Sequence, residues 1–211
     1  MRTSIAIEGQ PVAITVWGAV SPAHLSATVD LADFQEHLTP ILAAQLNRSD
    51  KCGERMAVQK ATLAPSGLLI ANVHYEHFAC AKAFGKEITK RLVAGDAVVE
   101  VSLTPSVAEN HIAMGAEVRK IDADGSLGEA LHSGSFGDSM RQKIAANIES
   151  SVRKSADLKS ALPAGVESVL TLRGAQFADG GSGKLWLAIE GELHLNAEQF
   201  QGLTKEMISR R

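Results

Sequence analysis

Two stretches of alternating, strand-like composition, Arg55 to Leu63 and Leu68 to Phe78, are joined by Ala64-Pro65-Ser66-Gly67. This join constrains the chain more than any other feature, because a short turn between alternating runs sets the register of a β-hairpin. With Gly67 in the left-handed conformation of a three-residue loop, Ala64 lies opposite Leu68, and counting outward brings Cys52 opposite Cys80. Directly opposed residues have Cβ atoms about 4.5–5.5 Å apart, near enough for a disulfide after small adjustments, although a bulge would spoil the register. The alternative is two unrelated, reduced, buried thiols. These are the only 2 cysteines in the sequence, and a disulfide between them implies an oxidising compartment such as the bacterial periplasm. The opening residues, Met1 to Glu8, contain no long apolar stretch of the kind a signal peptide needs. The sequence is either cytoplasmic or begins after a cleavage site, and the cysteine register favours the second, a periplasmic or secreted protein.

The remaining elements follow from periodicity. Ile5, Ile7, Val12, Ile14 and Val16 alternate around Glu8-Gly9-Gln10-Pro11, which predicts an opening hairpin. Asp30 then reads as a helix N-cap before an apolar stripe through Leu31, Phe34, Leu38, Ile41 and Leu42, with Asp33 in the first turn and Pro40 expected to kink or interrupt the helix. Ala81 to Gly95 is compatible with a short basic helix, carrying Phe84, Ile88 and Leu92 with Lys82, Lys86, Lys90 and Arg91, or with a strand beginning near Lys86. Val99, Val101 and Leu103 form one alternating strand and Ile112, Met114, Ala116 and Val118 another, with Pro105 assigned to a loop between them. A Gly- and Ser-rich connection from Asp124 to Ser135 leads to a helix striped by Phe136, Met140, Ile144, Ile148 and Val152, closed off near Leu162-Pro163-Ala164-Gly165. A final hairpin, about Val166 to Phe177 and Lys184 to Leu195 around Asp179-Gly180-Gly181-Ser182-Gly183, precedes a short C-terminal helix from about Asn196.

The fold class is therefore α+β: long curved antiparallel sheets packed on two long helices whose apolar stripes lie on the inner faces. A ββ-α-ββ order occurs twice, in residues 1–79 and 96–195 of a single domain spanning 1–211. Within it, Ala61, Ala64 and Gly67 recur at constant offset as Ala175, Ala178 and Gly181. In element order, in the Ala- and Leu-rich helices at Leu31 to Leu46 and Phe136 to Val152, and in its long alternating strands, the chain resembles the tubular lipid-binding superfamily. That superfamily includes bactericidal permeability-increasing protein and lipid-binding modules of membrane contact sites. The pairing of Cys52-Gly53 with Phe78-Ala79-Cys80 is similar to bacterial periplasmic proteins of unknown function. The resemblance implies a lipid or other hydrophobic ligand held between helix and sheet.

Other chemistries find little support. Lys plus Arg total 21 against 24 Asp plus Glu, a net charge of -3, so nucleic acid is not an expected partner. No apolar run approaches the roughly 20 residues of a bilayer-spanning helix. In His74-Tyr75-Glu76-His77, strand geometry sends His74 and Glu76 to one face and Tyr75 and His77 to the other; the segment reads as an exposed polar strand face, with His111 as a possible third metal ligand from the next hairpin. No metal site and no cofactor is expected. Asp122-Ala123-Asp124-Gly125-Ser126 lacks the glycine and glutamate spacing of a calcium loop and is read as a turn after a strand, and Gly180 to Lys184 lacks that of a phosphate loop. With no nucleophile elbow either, the chain reads as non-enzymatic.

Aromatics make up only 4% of the sequence against 45% hydrophobic residues, so its interior is built from aliphatic side chains. The candidate groove has a floor of Met140, Ile144, Ile148 and Val152 and walls of Val99, Val101 and Leu103, of Ile112, Met114 and Val118, and of Leu185, Leu187 and Ile189. No charge interrupts these sets, which suits an acyl chain or other hydrophobic small molecule. The alternative is a structural or assembly protein of the envelope, with the same fold fully packed, that meets a protein partner through a sheet edge or Trp186.

Overall fold

The computed structural model describes residues 2–7, 10–20, 24–47, 52–83, 86–155 and 170–194. In chain order the elements are β1 (Arg2–Ile7), β2 (Gln10–Val20), β3 (His24–Asp30), α1 (Ala32–Leu46), β4 (Gly53–Leu63), β5 (Leu68–Ala83), β6 (Lys86–Ala108), β7 (His111–Ala123), α2 (Gly125–Leu131), α3 (Gly134–Ser155), β8 (Leu170–Asp179) and β9 (Leu185–Leu193). The first sheet has five strands in the order β1-β2-β3-β9-β8, and the second has four, β4-β5-β6-β7. Every pairing is antiparallel. The α+β class holds. The C-terminal helix from Asn196, residues 166–169 and the Leu162 to Gly165 stop lie outside the described residues.

The central hairpin forms as its turn dictates. Gly67 has φ +80°, and the Ala64 amide donates to Leu68 O at 2.9 Å. Leu63 opposes Leu69 and Lys60 opposes Asn72, as counted from the turn, but a bulge between Val58 and Lys60 shifts the register by one. Gly53 therefore opposes Phe78, and Cys52 falls one place out of direct opposition to Cys80. The disulfide nevertheless joins them, with Cα atoms 5.8 Å apart, because a one-residue offset still leaves the two Cα atoms within bridging distance.

The helices depart from expectation. Three form among the described residues rather than two long ones, with α1 at 15 residues and α3 at 22. Nor does α1 lie simply on an inner face; its polar side runs along the free edge of β4. Gln35 Nε2 donates to Leu63 O (2.7 Å), Thr39 Oγ1 accepts from the Ala61 amide (2.9 Å), and Asn47 Oδ1 accepts from the Val58 amide (2.8 Å). These side chains satisfy backbone groups that an uncovered edge would offer to another chain. Gln35 also reaches the other sheet, its Oε1 accepting from the Leu185 amide at 2.8 Å. On the opposite side of the helix Leu38, Ile41, Leu42 and Leu46 are buried.

Four local assignments change. The cap residue of α1 is Leu31, because Asp30 remains the last residue of β3, yet Asp30 Oδ1 still accepts from the Ala32 amide at 2.9 Å. Pro40 does not break α1; burial of Leu38, Ile41 and Leu42 on either side holds the helix through the missing hydrogen bond. Pro105 lies within β6, opposite Met114. The Leu103 amide points away from β7 to Gly67 O at 2.8 Å, so Pro105, two residues on, faces its donor-less nitrogen past the end of β5, where no ladder bond is lost. The connection after Asp124 contains α2, because Leu127 and Leu131 are buried at helical spacing.

A duplicated unit is not established by this topology. The strands that open the first half, β1 to β3, join the closing hairpin of the second half through their last strand, β3, which pairs with β9; the pair that opens the second half, β6 and β7, joins the closing hairpin of the first half through its first strand, β6, which pairs with β5. Residues 81–83 and 86–95 are strand, not helix. Beyond the last pairs with β4 and β7, β5 and β6 continue as a two-stranded ribbon, Ala79 opposite Lys90 and Ala83 opposite Lys86. The Cys52–Cys80 bridge sits at its base.

Candidate functional site

One face of the second sheet is aliphatic along its length. Leu69, Ala71 and Val73 of β5 and Ala97, Val99, Val101 and Leu103 of β6 are buried. Its edge strands are each flanked by a helix, β4 by α1 and β7 by α3, and α1 also touches α3. α2 lies over β6, where the Leu127 side chain occupies the space a Cβ at Gly95 would need.

The expected groove residues distribute unequally around this interior. Met140, Ile144 and Ile148 of α3 are buried, and α3 packs on β7, bringing them to the wall that carries Ile112, Met114 and Val118. These β7 residues are partly buried against the same core, and Val101 opposes Val118 across the ladder. Val152 lies within α3, with its side chain outside the described residues. Leu185, Leu187 and Ile189 are also buried, but on β9 in the other sheet, where Leu187 opposes Val29 and Phe177, and Ile189 opposes Ala27 and Ala175. The principal helix neighbour of β9 is α1. All the candidates whose side chains are described join one continuous apolar core. The floor on α3 adjoins the β7 wall, which pairs in turn with the β6 wall, whereas the third wall belongs to the neighbouring sheet.

The segment expected to be an exposed polar face is split by burial. His74 bonds Asp96 at 2.7 Å on the outer face, and Glu76 lies between Arg91 (3.1 Å) and Arg55 (3.9 Å). Tyr75, by contrast, has no exposed surface, because strand alternation places it in line with Leu69, Ala71 and Val73. His111 cannot join His74 around a metal. It opposes Ala108, whereas His74 opposes Asp96, and those ends of β6 are on the order of 40 Å apart. Asp122 belongs to β7, where it pairs with Lys120 at 2.7 Å, and Asp124 directly precedes α2, so the expected turn is a strand-to-helix junction. Gly180 to Lys184 is a hairpin turn, with the Gly180 amide donating to Lys184 O at 2.9 Å.

At the disulfide end, the interior meets charged groups that sequence reasoning did not single out. Met56 opposes Tyr75, and Glu54 opposes His77. From α3, Lys143 Nζ contacts Glu54 Oε1 at 2.6 Å, largely in the open for the lysine and mostly shielded for the carboxylate. The Tyr75 hydroxyl is buried without a hydrogen-bond partner among the described residues. Burial, and secondarily the Glu54 charge, push its pKa well above the ordinary phenol value, so it remains a donor. The arrangement is an aliphatic interior with the Tyr75 hydroxyl inside it and an ion pair toward solvent.

The outer face of the first sheet carries Trp17 and Trp186 edge to face, with ring centroids 5.0 Å apart. Trp186 thus lies on the face opposite Leu185, Leu187 and Ile189, as strand alternation requires. Among the described residues, no helix is long and apolar enough to cross a membrane.

No protein-family model matches the chain, and no curated protein matches it. Among solved structures, a crystal structure of lipopolysaccharide binding protein is similar with a TM-score of 0.28 and 10% identity, over 85% of this chain and 42% of that one. The chain thus spans well under half the length of that protein, and a superposition this loose decides neither fold nor ligand.

Proposed function

We propose that this protein is a non-enzymatic binding module that holds a lipid or other hydrophobic molecule between the second sheet and α3. The observation that carries the reading is the chemistry of the enclosed face. Val99, Val101, Met140, Ile144 and Ile148 line it with aliphatic surface, and a charged pair, Glu54–Lys143, stands at one end. Such a site selects by apolar area, about 0.8 kcal/mol per methylene buried. The Cys52–Cys80 bridge supports an oxidising, extracytoplasmic setting, periplasmic or secreted. Native mass spectrometry of gently purified protein is expected to show an added mass that organic extraction removes and identifies as an acyl lipid. A bare polypeptide mass, unchanged after incubation with lipid vesicles, would overturn the reading.

One observation favours a second reading, an envelope assembly protein acting through protein contacts. The ribbon of β5 and β6 exposes Ile88 and Leu92, by 56% and 49%, an apolar pair on strands that end beyond their neighbours. Under that reading the interior is ordinary core and carries no ligand.

A further inference from the structure

We infer that Tyr75 is the donor that fixes the polar end of the interior's ligand, and that the ligand is a neutral long-chain acyl ester rather than a free fatty acid. This inference rests on the interior-binding reading and narrows it to a ligand class. Tyr75 has no exposed surface, and its hydroxyl finds no hydrogen-bond partner among the described residues. A buried hydroxyl left unpaired is costly, whereas removing it altogether from an apolar setting is close to neutral. An unpaired hydroxyl beside Met56, at the end of an otherwise aliphatic face, therefore points to an acceptor that arrives with a ligand.

The acceptor's charge follows from the neighbours. Glu54 lies one step along the same side of β4 from Met56, the residue opposite Tyr75, its charge disfavours ionisation of the hydroxyl, and Lys143 Nζ already engages its carboxylate at 2.6 Å. A fatty-acid carboxylate at the hydroxyl would be a second anion, withdrawn from water beside the first, with the nearby cation already committed. An ester carbonyl accepts the same hydrogen bond and carries no charge. It also leaves the alkyl chain free to run along β5 and β6 toward Val73 and Val99, while the alcohol portion faces the ion pair and solvent. Tyr75 is thus a specificity-determining residue for ester over acid.

The test is displacement of a fluorescent acyl probe from the full chain by monopalmitoylglycerol and by palmitate, at mildly alkaline pH, in the wild type and in Tyr75→Phe. The ester is expected to bind more tightly than the acid. Tyr75→Phe is expected to weaken ester binding about five- to tenfold, the worth of one neutral hydrogen bond, and to leave palmitate unchanged. Ligand-free Tyr75→Phe is expected to melt at or above the wild-type temperature, since no hydrogen bond within the protein is lost. Equal affinity for ester and acid, ester binding indifferent to the substitution, or a destabilised ligand-free variant would each overturn the inference and leave the interior site standing. Failure of the wild type to bind probe, ester and acid alike would remove both.

Discussion

Gly67→Val is expected to destabilise the protein by about 3–5 kcal/mol, the largest effect of any single substitution considered. Gly67 has φ +80°, a conformation that a β-branched residue adopts only at a cost of roughly 1–2 kcal/mol. The space is closed as well: a Cβ there would sit 2.7 Å from Leu103 O and 2.8 Å from Phe177 Cδ2. The first of these is backbone and cannot swing aside. Three elements meet at this point, since Gly67 N donates to Ala64 O at 2.9 Å and Gly67 O accepts from the Leu103 amide at 2.8 Å. Moving the turn to admit a side chain would disturb β4, β6 and β8 together. Urea unfolding measures the effect, and a variant within about 1 kcal/mol of wild type would show that the turn and β8 do not pack as described.

Replacing both cysteines, Cys52→Ser with Cys80→Ser, is expected to cost about 3–4 kcal/mol. The bridge closes a sequence separation of 28 residues, and restricting a loop of that size in the unfolded chain has about this worth. Its position adds a local consequence. Among the described residues, β5 past Phe78 pairs with β6 alone, and β6 before Ala97 pairs with β5 alone; the ribbon is tied at its base by Cys80. Hydrogen exchange in the double variant should therefore accelerate first at residues 79–83 and 86–92, while the β6–β7 ladder keeps its protection. Two thiols that alkylate freely in oxidised, natively folded protein would contradict both the bridge and the compartment argued from it.

Local patterns carried much of this fold, and tertiary contacts account for the misses. The turn at Ala64 to Gly67 predicts the register as far as Lys60 opposite Asn72, and fails beyond it because of a bulge. There Asn47, the residue that caps the end of α1, accepts from the Val58 amide, an edge interaction that no periodicity announces. β3 was missed although Leu25, Ala27 and Val29 alternate, and nothing local announces its pairing with β9. α2 is hidden by glycine- and serine-rich composition, with only Leu127 and Leu131 to mark its buried side. Pro105 reads as a loop until the outward direction of the Leu103 amide is known.

The same division runs through the candidate site. Its aliphatic residues are legible because alternation in β6, β7 and β9 and the four-residue spacing of α3 mark one face of each element. Which faces meet is a tertiary matter, and it places Leu185, Leu187 and Ile189 in the first sheet rather than against α3. Tyr75 could have been found by extending the parity of Leu69, Ala71 and Val73 by one step. The Glu54–Lys143 pair could not, since its partners are 89 residues apart and meet only when α3 lies beside the sheet.

Titration of wild-type and Ile144→Trp protein with a fluorescent fatty-acyl probe, paired with thermal unfolding of both, tests the central claim of an interior acyl site. Ile144 is fully buried on the inner side of α3, so a larger apolar side chain there fills space the acyl chain would occupy. Saturable binding by the wild type, lost in an Ile144→Trp variant that still unfolds cooperatively, is the predicted result. A wild type that takes up no probe, beside an Ile144→Trp variant destabilised by roughly 1–3 kcal/mol through overpacking, would contradict it and leave a packed envelope module.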